Sequence, residues 1–285
     1  MFERLESRRL LAAEPSLVYN PGVSLTVNGG TDGGTMIVRE ETPTAGSPGP
    51  YTYFVELRDA GGNVLPGHDG TTPYLASSVA ITGAGEVDRI TFTGYSKGAL
   101  ITGGNGADII NVLDSDHPDS GFIRGEGSNV DGGRGDDNIT VSQAHFTTVN
   151  GGDDSDLITL TDAKAIIDPS TGNVSGYDMT VGGHSVVDGG AGNDNIVLMA
   201  ANHTRASGGD GADVIHVNSA AIGGSVDLSS AVAEIFGDKG NDTIYLFDGE
   251  NTVNGGAGKD TLIIADAADA TTTVPGTIEK IVIGG

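Results

Sequence analysis

The chain has 285 residues, of which 39 are acidic and 14 are basic, giving a formal net charge of −25. This charge excludes a nucleic-acid binder that works by neutralising phosphates, and it disfavours docking on an anionic membrane. The chain contains 47 glycines but no cysteine and no tryptophan, which excludes disulfides and thiolate chemistry and favours a repeat protein over a core of large rings.

Residues 1–16 differ from the rest of the chain, because basic residues are followed by a run of only four apolar ones, Leu10-Leu11-Ala12-Ala13. Such a run is too short for a transmembrane helix or an ordinary signal peptide. One interpretation is a disordered amphipathic start. The other is an export tag, since the segment resembles an N-terminal tag of large exported proteins of one bacterial phylum in its motif Phe2-Glu3-x-Leu5-Glu6-x-Arg8-x-Leu10-Leu11.

Residues 17–100 contain a weak form of a pattern that is complete only further along the chain. Residues 83–92 keep its Asp88 and Ile90, and residues 30–38 keep Ile37 but have Thr35 in place of the aspartate. We expect degenerate or capping β coils here, because terminal repeats are usually atypical. A Pro/Gly loop at 42–50 interrupts them, and 51–65 is predicted to be a hairpin that turns at Gly61-Gly62.

Residues 101–285 carry a phrase of the form Gly-Gly-x-Gly-x-Asp-x-[Ile/Leu]-x, which recurs seven times. Its glycines indicate a tight turn with positive φ, and aliphatic residues at its eighth and tenth positions indicate a strand of period two. Stacked coils of this kind form a parallel β-solenoid. We therefore predict an all-β, right-handed, β-roll-like solenoid in which the sixth position forms a column of Asp108, Asp137, Asp156, Asp194, Asp213, Asp242 and Asp260.

The spacing of the phrases predicts the size of a coil. Successive phrases begin 29, 19, 38, 19, 29 and 18 residues apart, so the basic step is 18 or 19 residues. A step of 29 is interpreted as one coil with an insertion, such as residues 114–129. The step of 38 is interpreted as two coils, and the intermediate one, near Gly176-Tyr177-Asp178, is expected to break the aspartate column.

The predicted column of stacked aspartates indicates a metal-binding site. Carboxylates in adjacent coils, roughly 5 Å apart, repel by about 3 kcal/mol per pair at an effective dielectric near 20. A divalent cation between them reverses the sign of this interaction. Carboxylate and backbone carbonyl oxygens suit Ca²⁺ better than Mg²⁺, and the turns lack the His or Cys that zinc prefers. The alternative is that each carboxylate only caps its own turn through an Asx hydrogen bond.

The phrase resembles the RTX, or haemolysin-type, calcium-binding nonapeptide repeat. The resemblance implies calcium ions shared between consecutive coils, joining Asp108 with Asp137, Asp137 with Asp156, Asp194 with Asp213, Asp213 with Asp242, and Asp242 with Asp260. It implies further oxygen ligands from the turns that contain Gly104, Gly106, Gly133, Gly135, Gly190, Gly192, Gly209, Gly211, Gly240, Gly256 and Gly258.

Two departures from the family pattern qualify this resemblance. The alternate nine residues of each coil, such as 142–150, lack the glycine motif, so calcium is expected along one edge only. Asp154 and Asp238 replace turn glycines. We expect these turns to survive with weaker calcium sites, because Asp tolerates a left-handed conformation better than most residues.

The function that follows is a secreted or surface-associated calcium-binding protein with a structural or adhesive role, folded by calcium after export. Expected partners are calcium ions, with extracellular polysaccharide or cell-surface components as candidates, and neither nucleic acid nor an inserted membrane. No catalytic constellation stands out, and the six histidines have no ligand spacing, so we do not expect an enzyme. The alternatives are a polysaccharide lyase or epimerase built on a β-helix, or a fragment of a larger RTX exoprotein.

Overall fold

The computed structural model describes residues 14–41, 50–94, 98–114, 127–167, 170, 174–217, 232–265 and 270–284. The motif predicted to be an export tag lies outside these ranges. So do most of the Pro/Gly loop at 42–50 and most of the insertion at 114–129.

Two 12-stranded sheets contain most of the strands, which are numbered β1 to β26 along the chain. Sheet A runs in the spatial order β1 (Ser16–Asn20), β2 (Ser24–Asn28), β6 (Val79–Thr82), β8 (Leu100–Asn105), β10 (Asn129–Arg134), β12 (Thr148–Asp153), β16 (Val186–Ala191), β18 (Thr204–Asp210), β20 (Val232–Gly240), β22 (Gly249–Asn254) and β25 (Ala270–Thr273), with β23 (Ala257–Gly258) also paired to β20.

Sheet B is described here from the C-terminal end of the stack. Its order is β26 (Lys280–Ile283), β24 (Thr261–Ile264), β21 (Thr243–Leu246), β19 (Val214–Val217), β17 (Asn195–Met199), β13 (Leu157–Thr161), β11 (Asn138–Ser142), β9 (Ile109–Asp114), β7 (Asp88–Gly94), β3 (Gly34–Glu40), β4 (Tyr51–Arg58) and β5 (Val64–Ala76).

Each coil of the repeat region contributes one strand to each sheet, and equivalent residues of successive coils lie opposite each other. In sheet A, Val130 pairs in register with Ile101 on one side and Val149 on the other. In sheet B, Ile139 lies between Ile110 and Ile158. All of these pairings are parallel, which confirms the predicted all-β parallel solenoid.

The core lies between the two sheets and consists of the aliphatic rows that period two predicts. Side chains alternate between buried and accessible along the strands of the repeat, as in β11 and β13. The eighth position of the phrase is fully buried in all seven coils, at Ile110, Ile139, Ile158, Ile196, Ile215, Ile244 and Leu262.

The 38-residue step is a single coil with an inserted hairpin, so its interpretation as two coils is wrong. Leu157 of β13 pairs directly with Asn195 of β17, which leaves no room for an intermediate coil. The residues between them form the antiparallel strands β14 (Ala163–Ile167) and β15 (Val174–Gly182), which pair only with each other. The 29-residue steps are single coils with insertions, as predicted, since Ile101 pairs with Val130.

Antiparallel strands extend both sheets at the N-terminal end of the stack. Strand β1 pairs with β2, and β4 pairs with β3 and β5, with a turn in which Gly62 donates its N–H to the carbonyl of Asp59. The alignment proposed for residues 30–38 is wrong by one residue. Gly34, not Thr35, lies opposite Asp88, and Met36 and Val38 are buried instead of Ile37.

Candidate metal centre

The seven repeat aspartates form one column along the edge where sheet A turns into sheet B. Each of them follows a glycine turn and directly precedes a strand of sheet B, so the register of those strands superposes them coil on coil. All are buried, with only 1–3% of each residue exposed. A buried carboxylate needs hydrogen-bond donors or a cation, because transfer of its charge out of water is costly.

A continuous hydrogen-bond ladder joins the column. The backbone N–H of each aspartate donates to one carboxylate oxygen, Oδ1, of the aspartate in the following coil. The ladder begins one coil before the first repeat, at Asp88, and its seven N···O distances are 2.6, 2.7, 2.8, 2.8, 2.8, 2.9 and 3.0 Å in chain order from Asp88 to Asp260.

The alternative of an Asx cap on each carboxylate's own turn applies at the first coil. Asp88 accepts hydrogen bonds from the backbone N–H groups of Ala84 and Gly85 in its own turn, at 2.9 and 3.2 Å. In the seven repeats, the donor to Oδ1 is instead the aspartate N–H of the preceding coil. Their carboxylates therefore connect coils.

The second carboxylate oxygen, Oδ2, has no hydrogen-bond donor among the described residues at any of the seven repeat aspartates. It faces the Cα of the first glycine of its own turn. At Gly132, a Cβ would collide with Asp137 Oδ2 and with the carbonyl oxygen of Gly151 in the next coil. Two oxygens of different coils therefore converge at this glycine, and the described residues offer the carboxylate oxygen no donor.

The turn glycines have the left-handed backbone that the sequence predicts. Every glycine at the predicted oxygen-ligand positions has a φ between 97° and 155°. The conformation matters most where coils approach each other, as at Gly133, where a Cβ would collide with the carbonyl oxygen of Gly104. Asp154 and Asp238, which replace glycines, also have positive φ, of 79° and 69°, so these two turns keep the conformation.

Burial has the largest effect on the ionisation of the column. It raises the pKa of Asp108, Asp156 and Asp213 to about 7 and the pKa of Asp137 and Asp242 to about 6. The hydrogen bond from the neighbouring coil lowers these pKa values, and adjacent carboxylates raise them further. Loss of hydration therefore raises the pKa values of the column more than the repulsion between carboxylates does.

The structure joins the repeat aspartates more completely than the sequence predicts. The expected break between Asp156 and Asp194 is wrong, since the N–H of Asp156 donates to Asp194 at 2.8 Å. Two further carboxylates extend the ladder. Asp88 is fully buried at one end, and Glu279 accepts the N–H of Asp260 at 2.7 Å at the other. Like each repeat aspartate, Glu279 lies directly before a strand of sheet B, β26. Its position before an apolar strand could have identified it in the sequence, although it is not part of the repeated phrase.

The donor set fits a hard divalent cation. No group of three or more His, Cys, Asp or Glu side chains that could hold a metal occurs among the described residues. A cation in this column would therefore take carbonyl oxygens from the turns besides carboxylates. Ca²⁺ prefers oxygen ligands and accepts them in variable number. The column offers buried carboxylate oxygens that have no hydrogen-bond donor within the described part of the chain, and the adjacent glycine turns offer carbonyl oxygens.

The opposite edge of the solenoid has a different chemistry. Asp162 is fully buried there, and its carboxylate accepts hydrogen bonds from Ser185 Oγ at 2.6 Å and from the N–H of Asn202 at 3.4 Å. Burial raises its pKa to about 7. Both oxygens of this aspartate have a donor, in contrast to the repeat aspartates. His184 and His203 stack with ring centroids 4.8 Å apart on the same edge.

Comparison with protein families gives a match at two segments of the repeat region. Residues 181–202 and 234–262 match the family model described as RTX calcium-binding nonapeptide repeat (4 copies). These two segments are therefore similar to RTX calcium-binding nonapeptide repeats. The matched segments include the RTX turns that begin at Gly189, Gly237 and Gly255, and the column extends the same geometry to four further turns. No curated protein and no solved structure gives a significant match.

The described residues include no helix with the length and hydrophobicity needed to cross a lipid bilayer.

Proposed function

We propose that this chain is a secreted or surface-associated calcium-binding protein with a structural or adhesive role, and that calcium completes its folding after export. The observation that carries the proposal is the column of buried aspartates, each with one oxygen in the inter-coil ladder and one without a donor among the described residues. Ionised carboxylates in this position need positive charge. The RTX match supports calcium as its source.

Calcium would be held between consecutive RTX turns. The candidate ligands are the Oδ2 atoms of the repeat aspartates and the carbonyl oxygens of the turn glycines. Because Asp156 and Asp194 are in adjacent coils, this pair joins the five pairs inferred from the sequence. When bound, calcium neutralises the carboxylates. The chain's own ladder keeps each Oδ1 on the N–H of the neighbouring coil and leaves Oδ2 for the metal.

A structural role is favoured over a catalytic one by the chemistry of a surface depression on sheet A. The side chains of Asp188, Ser207, Asp210, Asp238 and Lys239 line this depression of about 400 Å³. The Lys239 ammonium group lies 2.7 Å from a carboxylate oxygen of Asp210, which neutralises it. A lyase or epimerase acting on an acidic polysaccharide needs a cation for the substrate. The residues that line this depression offer no unpaired one.

Substitution of Asp213 by asparagine tests the calcium assignment. The new side-chain amide would keep an oxygen that can accept the N–H of Asp194, but it would lose the charge. We expect Asp213→Asn to lower the number of calcium ions bound by one or two. In calcium-free buffer at about pH 7, where part of this carboxylate is ionised, the variant should raise the melting temperature, since a buried charge without a donor is removed. Equilibrium dialysis and thermal denaturation measure the two effects.

Asp162→Asn is the matched control, because Asp162 is equally buried but lies on the opposite edge with both oxygens hydrogen-bonded. It should leave the number of bound calcium ions unchanged. It should not stabilise the calcium-free chain, because the amide NH2 would replace one of the two oxygens that accept hydrogen bonds from Ser185 and Asn202. The assignment is contradicted if the two variants lose the same amount of calcium, or if Asp213→Asn loses none.

A further inference from the structure

Over most of the length of sheet B, the described outward side chains are uncharged. We define this surface, the neutral face, as the outward side chains of β9, β11, β13, β17, β19, β21 and β24. None of these described side chains is Asp, Glu, Lys or Arg. In a chain with a net charge of −25, such a surface is unexpected.

The outer surface of sheet A provides the contrast, because the same coils carry charges there. Asp131, Asp188, Arg205 and Glu234 lie at accessible positions of its strands. The two surfaces belong to the same coils and have the same parallel ladder. The absence of charge on the described neutral face is therefore a property of its sequence and not of the fold.

The neutral face combines aliphatic side chains with threonine and asparagine. Leu157 is 38% exposed, and Val197, Met199 and Ile263 are half-buried by their neighbours in the sheet. Tyr245 stacks on His216 with ring centroids 4.6 Å apart. Depletion of charged residues characterises the core of a protein interface.

We propose that the neutral face is the contact surface between two copies of this chain, which pack sheet on sheet. Two observations select a second copy as the occupant. Side-chain rows on this face repeat at the strand spacing of about 4.8 Å, so a face with the same repeat matches it along its whole length. Two chains of charge −25 repel each other, and this surface lets them approach without placing like charges in contact.

The size of the face is sufficient for a reversible dimer. Seven strands about 4.8 Å apart, each with two or three outward residues, cover on the order of 500 Å² per copy, or roughly 1,000 Å² in total. This area is at the lower limit of specific interfaces. A neutral sugar would be a poorer occupant, because its sites use several exposed aromatic rings and Tyr245 is the only Tyr, Phe or Trp among the described side chains of the neutral face.

Two double variants with the same starting residues test the proposal. Thr159 and Val197 are register partners on the neutral face, and Thr148 and Val186 are register partners on the outer surface of sheet A in the same two coils. We expect Thr159→Lys with Val197→Lys to weaken dimerisation at least about tenfold, because like charges are buried against each other. Thr148→Lys with Val186→Lys should have little effect.

Sedimentation velocity of the full chain in calcium, from about 1 to 100 µM protein, measures the dimer against these variants. The wild type should shift from monomer to dimer with concentration, and more strongly at high salt, which screens the net charge. The proposal is overturned if the wild type stays monomeric over this range at high salt, or if both double variants dimerise equally. All four positions face outward, so the control variant also shows whether added lysines disturb folding. The concentration dependence of the wild type tests the proposal independently of both variants.

Discussion

Removal of calcium at pH 8 is expected to unfold most of the solenoid. Burial raises the pKa of Asp108, Asp156 and Asp213 from 3.8 to about 7. Ionisation of each of these carboxylates therefore destabilises the metal-free fold by on the order of 4 kcal/mol. A domain's whole stability is about 5–15 kcal/mol, so several such charges exceed it. Circular dichroism of the chelated chain should therefore lose most of its strand signal.

Calcium at about 1–10 mM should restore this signal and raise the melting temperature, if the sites have dissociation constants near 0.1–1 mM like those of known extracellular calcium modules. The same concentration of magnesium is the control and should do little, because Mg²⁺ requires a tighter octahedron and retains its water. Equal strand signal and equal melting temperature with and without calcium would show that the metal-free column is stable as ionised carboxylates.

The calcium-free chain should be more stable at pH 5 than at pH 8. The folded-state pKa of the column is raised above its unfolded value by burial, so the native state binds more protons than the unfolded state between about pH 4 and pH 7. The free energy of unfolding therefore falls as pH rises through this window. The stabilisation is complete below the unfolded pKa near 3.8 and is lost once pH exceeds about 7.

Urea denaturation in calcium-free buffer at pH 5, 6, 7 and 8 measures this dependence. In saturating calcium the slope should reverse, because acid protonates the carboxylates that the metal needs. A calcium-free denaturation midpoint that rises from pH 5 to pH 8 would mean that the column is already ionised and satisfied within the fold.

Period and spacing in the sequence predict the architecture well. Aliphatic residues at the eighth position, such as Ile139 and Ile158, are fully buried, and the glycine turns superpose the aspartates. These features repeat in every coil, so each copy reinforces the same interpretation. Local repetition is the kind of information that a single sequence contains in full.

The 38-residue step is predicted to be two coils because its additional residues resemble strands in sequence. Residues 163–167 and 174–182 have the apolar character of a coil, yet they pair with each other outside the two sheets. Only the register of Leu157 with Asn195 decides between a coil and a hairpin. That register depends on packing between distant segments, which spacing does not reveal.

The inter-coil ladder is likewise beyond what the sequence can predict. The phrase shows that aspartates stack, but not that the N–H of Asp137 reaches the carboxylate of Asp156. That contact depends on how closely the turns approach, and the approach depends on glycines without a Cβ. Glu279 takes the place of the aspartate after Asp260 because its longer side chain still reaches the N–H.

Proton release on calcium binding tests the central claim most directly, since the metal-free column is expected to be partly protonated near pH 6.5 and the calcium-bound column to be ionised. Calorimetric titration of the chain with calcium at about pH 6.5, in two buffers of different ionisation enthalpy, gives the number of protons released. The account predicts a net release that declines towards zero above about pH 8. Calcium binding without proton release at the lower pH would contradict it, as would the absence of calcium binding at any pH.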